Sequence, residues 1–249
     1  MPCPLRRLID RIRRRHPLRT HADAQTPPNP GLTTGERPTV QTPQSFPALE
    51  QRHIGDARLF AHRVEMLRTL SLPADAVIGE VGVAEGGFSQ FLLDQFKPKT
   101  FVGFDLFELH QMPILWGKPT SEVFEGKTHF AYYRDRFAHA AAEIIVEQGP
   151  SYDRLAHYPD GTFDMLYIDA GHEYKDVKKD TEIAAKKLKS NGVLIFNDYI
   201  LYDHLAGTPY GVVQAVNELI VQGDWQIVGF ALQQQMFCDI ALRRASGQG

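Results

Sequence analysis

The fold is decided by the stretch Val77-Ile78-Gly79-Glu80-Val81-Gly82-Val83-Ala84-Glu85-Gly86-Gly87-Phe88-Ser89. A short apolar run leads into a glycine cluster, and the residues after the cluster place apolar side chains at helical spacing. This order predicts a strand, a tight turn and a helix. Glycine suits such a turn because it allows positive φ angles and lets backbone N–H groups approach a ligand. The turn therefore predicts a site for a nucleotide-like cofactor.

The glycines and acids around the turn bear on which cofactor it holds. The pattern Gly82-x-Ala84-x-x-Gly87 differs by one substitution from the dinucleotide-binding fingerprint, and Asp105 follows at about the spacing of its ribose-binding acid. Ala84 replaces the glycine that lets a pyrophosphate approach, and Glu80 adds an acid beside the turn. An acid there suits a ligand with an amino cation and a sulfonium. An NAD enzyme and an α/β protein without a ligand stay open as alternatives.

The turn resembles the first motif of the class I S-adenosylmethionine (SAM)-dependent methyltransferases. The resemblance implies that SAM contacts Glu80, Gly82 and Gly86. Asp105 ends a second predicted strand, and ligands bind at the carboxyl ends of strands in a doubly wound sheet. Asp105 is therefore predicted to accept hydrogen bonds from the two ribose hydroxyls.

A second turn, Gly149-Pro150-Ser151-Tyr152, follows the third predicted strand. In methyltransferases this turn flanks the adenine. The resemblance implies that Ser151 bonds a ring nitrogen and that Tyr152 packs on the ring. Asp169, at the end of the fourth predicted strand, is also assigned to the cofactor site.

Composition places the chain among ordinary globular proteins. It has 249 residues, a formal net charge of -3 and 2 cysteines. No basic field favours nucleic acid, and two cysteines give neither a disulfide framework nor a metal-ligand cluster. No apolar run approaches the ~18–20 residues that span a bilayer. We expect a cytoplasmic protein that does not bind nucleic acid.

Residues 1–48 are predicted to form a tail and residues 49–245 the folded domain. Residues 20–47 are rich in Pro, Thr, Gln and Gly with little to bury, which predicts a disordered linker. Before the linker, apolar side chains recur on one helical face among arginines, at Leu5, Leu8, Ile9 and Ile12. That pattern is typical of peripheral contact with an anionic membrane, a targeting peptide, RNA binding, or a solvated tail.

The folded part alternates strands with helices. Residues 53–70 have apolar side chains at helical spacing and are predicted to be one helix. Five apolar strands follow, which begin at Val77, Thr100, Glu143, Phe163 and Val193. Two last strands lie near Trp225–Phe230 and Gln235–Leu242. This order matches the methyltransferase sheet and predicts a Rossmann-like, doubly wound, three-layer αβα fold with seven mostly parallel strands and an antiparallel last strand.

Residues 106–143 interrupt this alternation with many aromatic side chains. An aromatic insertion at the ligand end of a sheet forms either a substrate wall or lid, or a local hydrophobic cluster. Both interpretations stay open.

Asp169 and the pair Asn197-Asp198 lie at the carboxyl ends of neighbouring predicted strands. Their side chains are therefore predicted to converge. Three oxygen ligands with open positions suit Mg²⁺. Strand-end acids that cap helices are the alternative.

The run Tyr167-Ile168-Asp169-Ala170-Gly171-His172-x-Tyr174-x-x-Val177-x-x-Asp180, with Phe196-Asn197-Asp198-Tyr199 and Tyr210-Gly211-Val212, is similar to one methyltransferase branch. That branch includes macrolide-sugar O-methyltransferases and cephalosporin-hydroxylase-like proteins. The acid spacing also resembles that of catechol-type O-methyltransferases, which hold Mg²⁺ with such residues. The catechol-type pattern has Asp then Asn at the final pair, whereas this chain has Asn then Asp.

His172 stands where the catechol-type pattern has a lysine. A neutral imidazole accepts a hydroxyl proton near pH 7, so His172 is interpreted as the general base beside Asp169. A helix cap is the alternative. The resemblance implies SAM-dependent O-methylation of a small molecule or glycan, with Mg²⁺. A metal-independent O- or N-methyltransferase and a non-catalytic nucleotide-binding module are the other candidates.

Overall fold

The computed structural model describes residues 46–54 and 56–245. An eight-stranded sheet in the order β1-β11-β12-β8-β7-β2-β3-β6 forms its centre. In chain order these strands are β1 (Arg58–Phe60), β2 (Val77–Val81), β3 (Thr100–Asp105), β6 (Glu143–Gln148), β7 (Phe163–Ile168), β8 (Leu188–Phe196), β11 (Trp225–Ala231) and β12 (Asp239–Arg244). Two small hairpins complete the strands: β4 (Ile114–Leu115) with β5 (Lys118–Pro119), and β9 (Tyr202–Asp203) with β10 (Thr208–Pro209).

The α-helices of the described part separate and flank these strands. They are α1 (Gln51–Ile54), α2 (Arg63–Arg68), α3 (Gly87–Phe96), α4 (Thr120–Val123), α5 (His129–Arg136), α6 (Ser151–Ala156), α7 (Tyr174–Lys187) and α8 (Val212–Gln222). Two short 3₁₀ turns cover Leu109–Gln111 and Gln234–Met236.

The sheet is covered on both faces, and β7 illustrates why. All six of its residues are buried. Because strand side chains alternate, Leu166 and Ile168 enter a core cluster with α7 and α8, whereas Met165 and Tyr167 enter a second cluster with α2 and α3. A strand that is apolar on both faces needs helices on both sides. The predicted three-layer, doubly wound α/β architecture is confirmed.

The central strands of the sheet all point in the same direction. β2 lies between β3 and β7, and β6, β3, β2, β7 and β8 all run parallel. Their carboxyl ends therefore share one edge. β12 is antiparallel to both β8 and β11, as predicted for the last strand.

The N-terminal edge differs from the prediction. Residues 53–70 were expected to form one helix, but α1, β1 and α2 occupy this region. β1 adds an eighth strand, because Leu59 and Phe60 pair in parallel with Phe230 and Ala231 of β11. Tertiary pairing with a distant strand has overridden the local helical spacing.

The predicted tail, residues 1–48, lies almost wholly outside the described residues. Of its last positions, Pro47 accepts a hydrogen bond through its carbonyl from Asn217 Nδ2 at 3.2 Å. Leu49 packs against the core. No helix within the described ranges is long and apolar enough to cross a membrane.

Candidate functional site

A cleft of about 920 Å³ opens at the carboxyl edge of the sheet. The ends of β2, β3 and β7, the start of α6 and the inner face of α7 line it. Cavities of roughly 300–1,000 Å³ are the usual size for small-molecule sites. Of the predicted site residues, those that line this cleft are Gly82, Asp105, Ser151, Tyr152, Asp169 and His172.

Gly82 belongs to the cleft, but the reason for glycine there is internal packing. Its φ is 86°, which disfavours a side chain. A Cβ at this position would overlap the backbone carbonyl of Asp169, where β7 ends. Gly86 also has a positive φ, of 82°, and a Cβ there would meet the rings of Phe137 and Tyr133. Gly86 is the N-cap residue of α3 and does not line the cleft.

Asp105 fixes the turn that follows β2. Its Oδ2 accepts hydrogen bonds from the backbone N–H groups of Val83 at 3.0 Å and Ala84 at 3.4 Å. Its Oδ1 accepts from the Phe107 N–H at 2.7 Å. The carboxylate thus orders two loops and still lines the cleft, where its remaining lone pairs can accept from a ligand.

Glu80 does not lie where a cofactor ligand was expected. Its side chain is 1% exposed and does not line the cleft. It accepts a hydrogen bond from Ser89 Oγ, which in turn accepts from Tyr133 OH at 2.9 Å. Burial raises the pKa of Glu80 well above its usual value. Glu80 lies inside β2, one residue before the strand ends, and its side chain faces α3. Its hydrogen bond with Ser89 therefore joins the helix to the sheet.

The expected adenine end of the cleft contains an unexpected acid. Ser151 Oγ donates to Asp180 Oδ1 at 2.5 Å, and both side chains line the cleft. Burial raises the pKa of Asp180 to about 6. Tyr152 also lines the cleft, with Lys179 Nζ 4.3 Å from the centre of its ring.

His172 is held by stacking at the other end of the cleft. Its ring lies parallel to the Tyr210 ring, with centroids 4.3 Å apart, and Tyr210 OH donates to Asp203 Oδ2 at 3.0 Å. His172 Nε2 lies 3.4 Å from Asp198 Oδ2 and 4.0 Å from Asp169 Oδ1. Burial lowers the pKa of His172 below its usual value. Burial therefore favours the neutral form of the ring.

The side chain of His172 does not cap the helix that follows. Glu173 is the N-cap residue of α7, and it makes no side-chain cap bond. The contribution of His172 to this junction is its carbonyl, which accepts from the Gly211 N–H at 2.8 Å. A Cβ on Gly211 would overlap the backbone of Tyr174, so this close approach needs glycine. The loop before α8 thereby places Tyr210 against the imidazole.

The three predicted magnesium ligands do not form an open set of oxygens. Asn197 Oδ1 accepts from Arg63 Nη1 at 3.0 Å, and Asn197 Nδ2 donates to Asp169 Oδ1 at 3.1 Å. Neither Asn197 nor Asp198 lines the cleft. Across residues 46–54 and 56–245, no group of three or more His, Cys, Asp or Glu side chains could hold a metal ion. These residues do not fit Mg²⁺, because a guanidinium occupies the amide oxygen that would bind it.

Burial also sets the charge of the acids at this end. It raises the pKa of Asp169 to about 7, against the opposing effect of Arg63. Burial and, after it, the nearby Asp239 raise the pKa of Asp198 to about 6. Among the residues that the structure describes, Arg63 is the one arginine or lysine with an ion pair to Asp169, at 3.9 Å between Nη1 and Oδ2.

The aromatic insertion forms a local cluster and also lines part of the cleft. Phe107, Tyr133 and Phe137 are buried together in a local cluster. On the cleft side, Met112 and Trp116 form an apolar wall. Trp116 and Gly117 both have positive φ and make the tip of the β4–β5 hairpin, where Trp116 is 65% exposed.

Sequence reasoning missed Arg63, Asp180 and Asp203. Arg63 falls in the segment predicted as an uninterrupted helix, and nothing in the sequence sets it apart from the other arginines. Asp180 was part of the quoted motif, and its spacing from Asp169 could have placed it on the cleft face of α7.

Residues 80–199 match a family model described as a methyltransferase domain. An uncharacterized protein of Acanthamoeba polyphaga mimivirus is 26% identical over 163 residues, which are 65% of this chain and 67% of that protein.

Two solved structures share the fold at low identity. The O-methyltransferase TomG from Streptomyces achromogenes, involved in tomaymycin synthesis and solved in complex with SAM, has a TM-score of 0.51 and 16% identity, with 74% of this chain and 80% of that chain covered. A putative rRNA-methylase from Clostridium thermocellum has a TM-score of 0.52 and 11% identity, with 74% and 94% covered. At such identities the likeness concerns the fold alone.

Proposed function

We propose that this chain, whose residues 80–199 match the methyltransferase domain model, is a class I SAM-dependent methyltransferase that transfers a methyl group to a hydroxyl oxygen of a small molecule or sugar. The observation that carries the proposal is His172, an imidazole that lines the cleft, stacks on Tyr210 and has its Nε2 3.4 Å from Asp198 Oδ2. A transfer to oxygen must dispose of the hydroxyl proton, and this imidazole can take it.

The cleft fits SAM through the residues of the sheet edge. Gly82 and Asp105 line it at the turn after β2, and Ser151 and Tyr152 line it at the start of α6. Bound SAM would supply a methyl group on a sulfonium. The carboxylate of Asp105 would accept from the ribose hydroxyls, and Tyr152 would cover the adenine.

The proton has a defined destination. His172 Nε2 faces the carboxylates of Asp198 and Asp169. A carboxylate neighbour favours the tautomer with its proton on Nε2, which leaves the lone pair of Nδ1 free. Bound SAM would supply the methyl carbon and keep the sulfur as its leaving group, and His172 Nδ1 would accept the proton of the acceptor hydroxyl. Asp198 then stabilises the imidazolium.

The apolar side chains at the mouth of the cleft indicate which kind of acceptor it suits. Leu106, Met112 and Trp116 line the cleft and are exposed at 50%, 47% and 65%. Apolar side chains at a pocket mouth suit an acceptor whose hydroxyl is carried on an apolar or aromatic body, or on the flat apolar face of a sugar. No step of the proposed reaction passes through a metal, because Asn197 Oδ1 is bonded to Arg63.

SAM binding is the first test. SAM should raise the melting temperature and NAD should not, because only a ligand held by the native state stabilises it. Asp105→Ala should weaken SAM binding by about 1–3 kcal/mol in isothermal titration, the range for ligand groups that lose a charged acceptor. The control is Asp94→Ala, which removes an exposed acid near the end of α3. Unchanged SAM affinity in Asp105→Ala would remove that residue from the site.

Methyl transfer is the second test. SAM with a labelled methyl group is incubated with phenols, sugars, amines and RNA, with and without EDTA. We expect label on a hydroxyl compound at a rate that EDTA does not change. Label on amines alone would support the N-methyltransferase alternative. Tight SAM binding without transfer to any acceptor class would support a non-catalytic module.

The N-terminal segment carries a separate proposal of peripheral membrane contact in the cytoplasm. Its arginines would attract anionic lipid while Leu5, Leu8 and Ile9 enter the interface. Full-length protein should sediment with vesicles that contain phosphatidylserine, and salt should release it. A version without residues 1–45 and neutral vesicles are the controls. Equal sedimentation of the truncated version would refute the proposal.

A further inference from the structure

Arg63 lies at the start of α2 and reaches into the acidic end of the site. Its Nη1 donates to Tyr167 OH at 2.9 Å and to Asn197 Oδ1 at 3.0 Å. The same nitrogen lies 3.9 Å from Asp169 Oδ2. The guanidinium carbon is 4.4 Å from the centre of the Phe88 ring. These contacts fix the guanidinium in a single place.

The surroundings of Arg63 explain why a cation is needed there. Tyr167 OH donates to Asp239 Oδ2, and Asp239 is fully buried. Asp169 lies on the cleft side of the guanidinium. Neighbouring carboxylates that are shielded from water repel one another unless a positive charge lies among them.

We propose that Arg63 is a positioning residue that takes the place of a divalent metal ion at the ends of β7 and β8. It supplies the positive charge for the acidic group and occupies Asn197 Oδ1. The amide Nδ2 of Asn197 is thereby directed at Asp169 Oδ1, which orients the Asp169 carboxylate at the cleft. The role of Asp169 in methyl transfer rests on the proposed function. The exclusion of a metal ion by Arg63 is independent of that function.

The geometry makes a prediction about metal binding. Loss of the guanidinium frees Asn197 Oδ1 beside Asp169 and removes the charge that repels a cation. Oxygen ligands of this kind suit Mn²⁺ or Mg²⁺. The Arg63→Ala variant should therefore gain a divalent-ion site that the natural chain lacks.

The test measures Mn²⁺ binding by electron paramagnetic resonance on folded protein, without SAM or acceptor. We expect Arg63→Ala to bind Mn²⁺ at least about tenfold more tightly than wild type. Arg63→Lys keeps a cation and should behave as wild type. Arg68→Ala removes an exposed arginine from the same helix and should gain nothing. Adding Asn197→Ala to Arg63→Ala should abolish the new site and so locate it.

Two outcomes would overturn the proposal. The first is Mn²⁺ binding by the wild-type protein that is absent from the Asn197→Ala variant. This comparison can be made even if Arg63→Ala does not fold. The other is a folded Arg63→Ala that gains no site. Arg63→Gln, closer in shape, repeats the second measurement if the alanine variant is unstable.

A kinetic readout separates positioning from mere stability. Once an acceptor is known, Arg63→Gln should lower kcat and leave SAM affinity unchanged, and Arg63→Lys should recover part of kcat. Equal kcat in wild type and folded Arg63→Gln would reject the positioning role. If no acceptor is methylated at all, the proposed function fails while the Mn²⁺ result still decides the role of Arg63 as a metal substitute.

Discussion

Replacement of His172 by glutamine is expected to lower methyl-transfer turnover by ~10²–10⁴, the usual contribution of a positioned acid or base. Glutamine keeps polarity and approximate size but cannot accept the proton. The affinity for SAM should change little, because the expected cofactor contacts lie at Gly82, Asp105 and the start of α6. Turnover is measured at saturating SAM with the acceptor found by labelled transfer.

The pH profile provides a second readout of the same residue. Only the neutral imidazole accepts a proton, so turnover should fall as the pH drops through the pKa of His172. Burial lowers that pKa, so the acid limb should lie below that of an ordinary histidine, about 6.5. The limb should vanish in the slow glutamine variant. His157→Gln, at an exposed histidine, is the control. Wild-type turnover in folded His172→Gln would contradict the assignment.

The second large effect concerns stability: Gly82→Ala should reduce the free energy of unfolding by about 2–6 kcal/mol. The substitution strains a residue with a φ of 86°, which costs about 1–3 kcal/mol. It also forces a methyl group into the carbonyl of Asp169, and overpacking costs about 1–3 kcal/mol. Chemical denaturation measures the loss, which is a large part of the ~5–15 kcal/mol that stabilises a typical domain.

Gly87→Ala is the matched control from the same turn. No atom lies within 4 Å of a Cβ at Gly87, and this residue is the first of α3. Alanine there should be neutral or raise stability by up to about 1 kcal/mol. If Gly82→Ala and Gly87→Ala unfold at the same denaturant concentration, the close approach of β2 and β7 does not exclude a side chain at position 82.

The fold was largely predictable because each of the parallel strands β2, β3, β6, β7 and β8 contains an apolar run. The strand expected at Thr100–Asp105 has the observed bounds of β3, and the expected start at Phe163 is that of β7. The segment before β2 was misread, because Leu59 and Phe60 suit a helix face as well as a strand. Their partner strand lies far along the chain, and no local pattern contains that information.

The site was predictable where the topology alone positions a residue. Asp105, Asp169 and His172 follow the carboxyl ends of strands, and all three line the cleft. Glu80 does not line the cleft, because a residue inside a strand follows the alternation of the sheet, which turns it toward Ser89. Arg63 could not be found, since its role depends on where α2 packs and not on its neighbours in sequence.

The unequal surroundings of the two tryptophans give this protein a built-in optical reporter. Trp225 is 2% exposed beneath Arg244, whereas Trp116 is 65% exposed at the mouth of the cleft. Indole emission moves to shorter wavelength when the ring leaves water, and a buried ring changes little. A shift on addition of a candidate acceptor would therefore arise at Trp116. Unlabelled compounds could be screened by fluorescence alone, before any product is known.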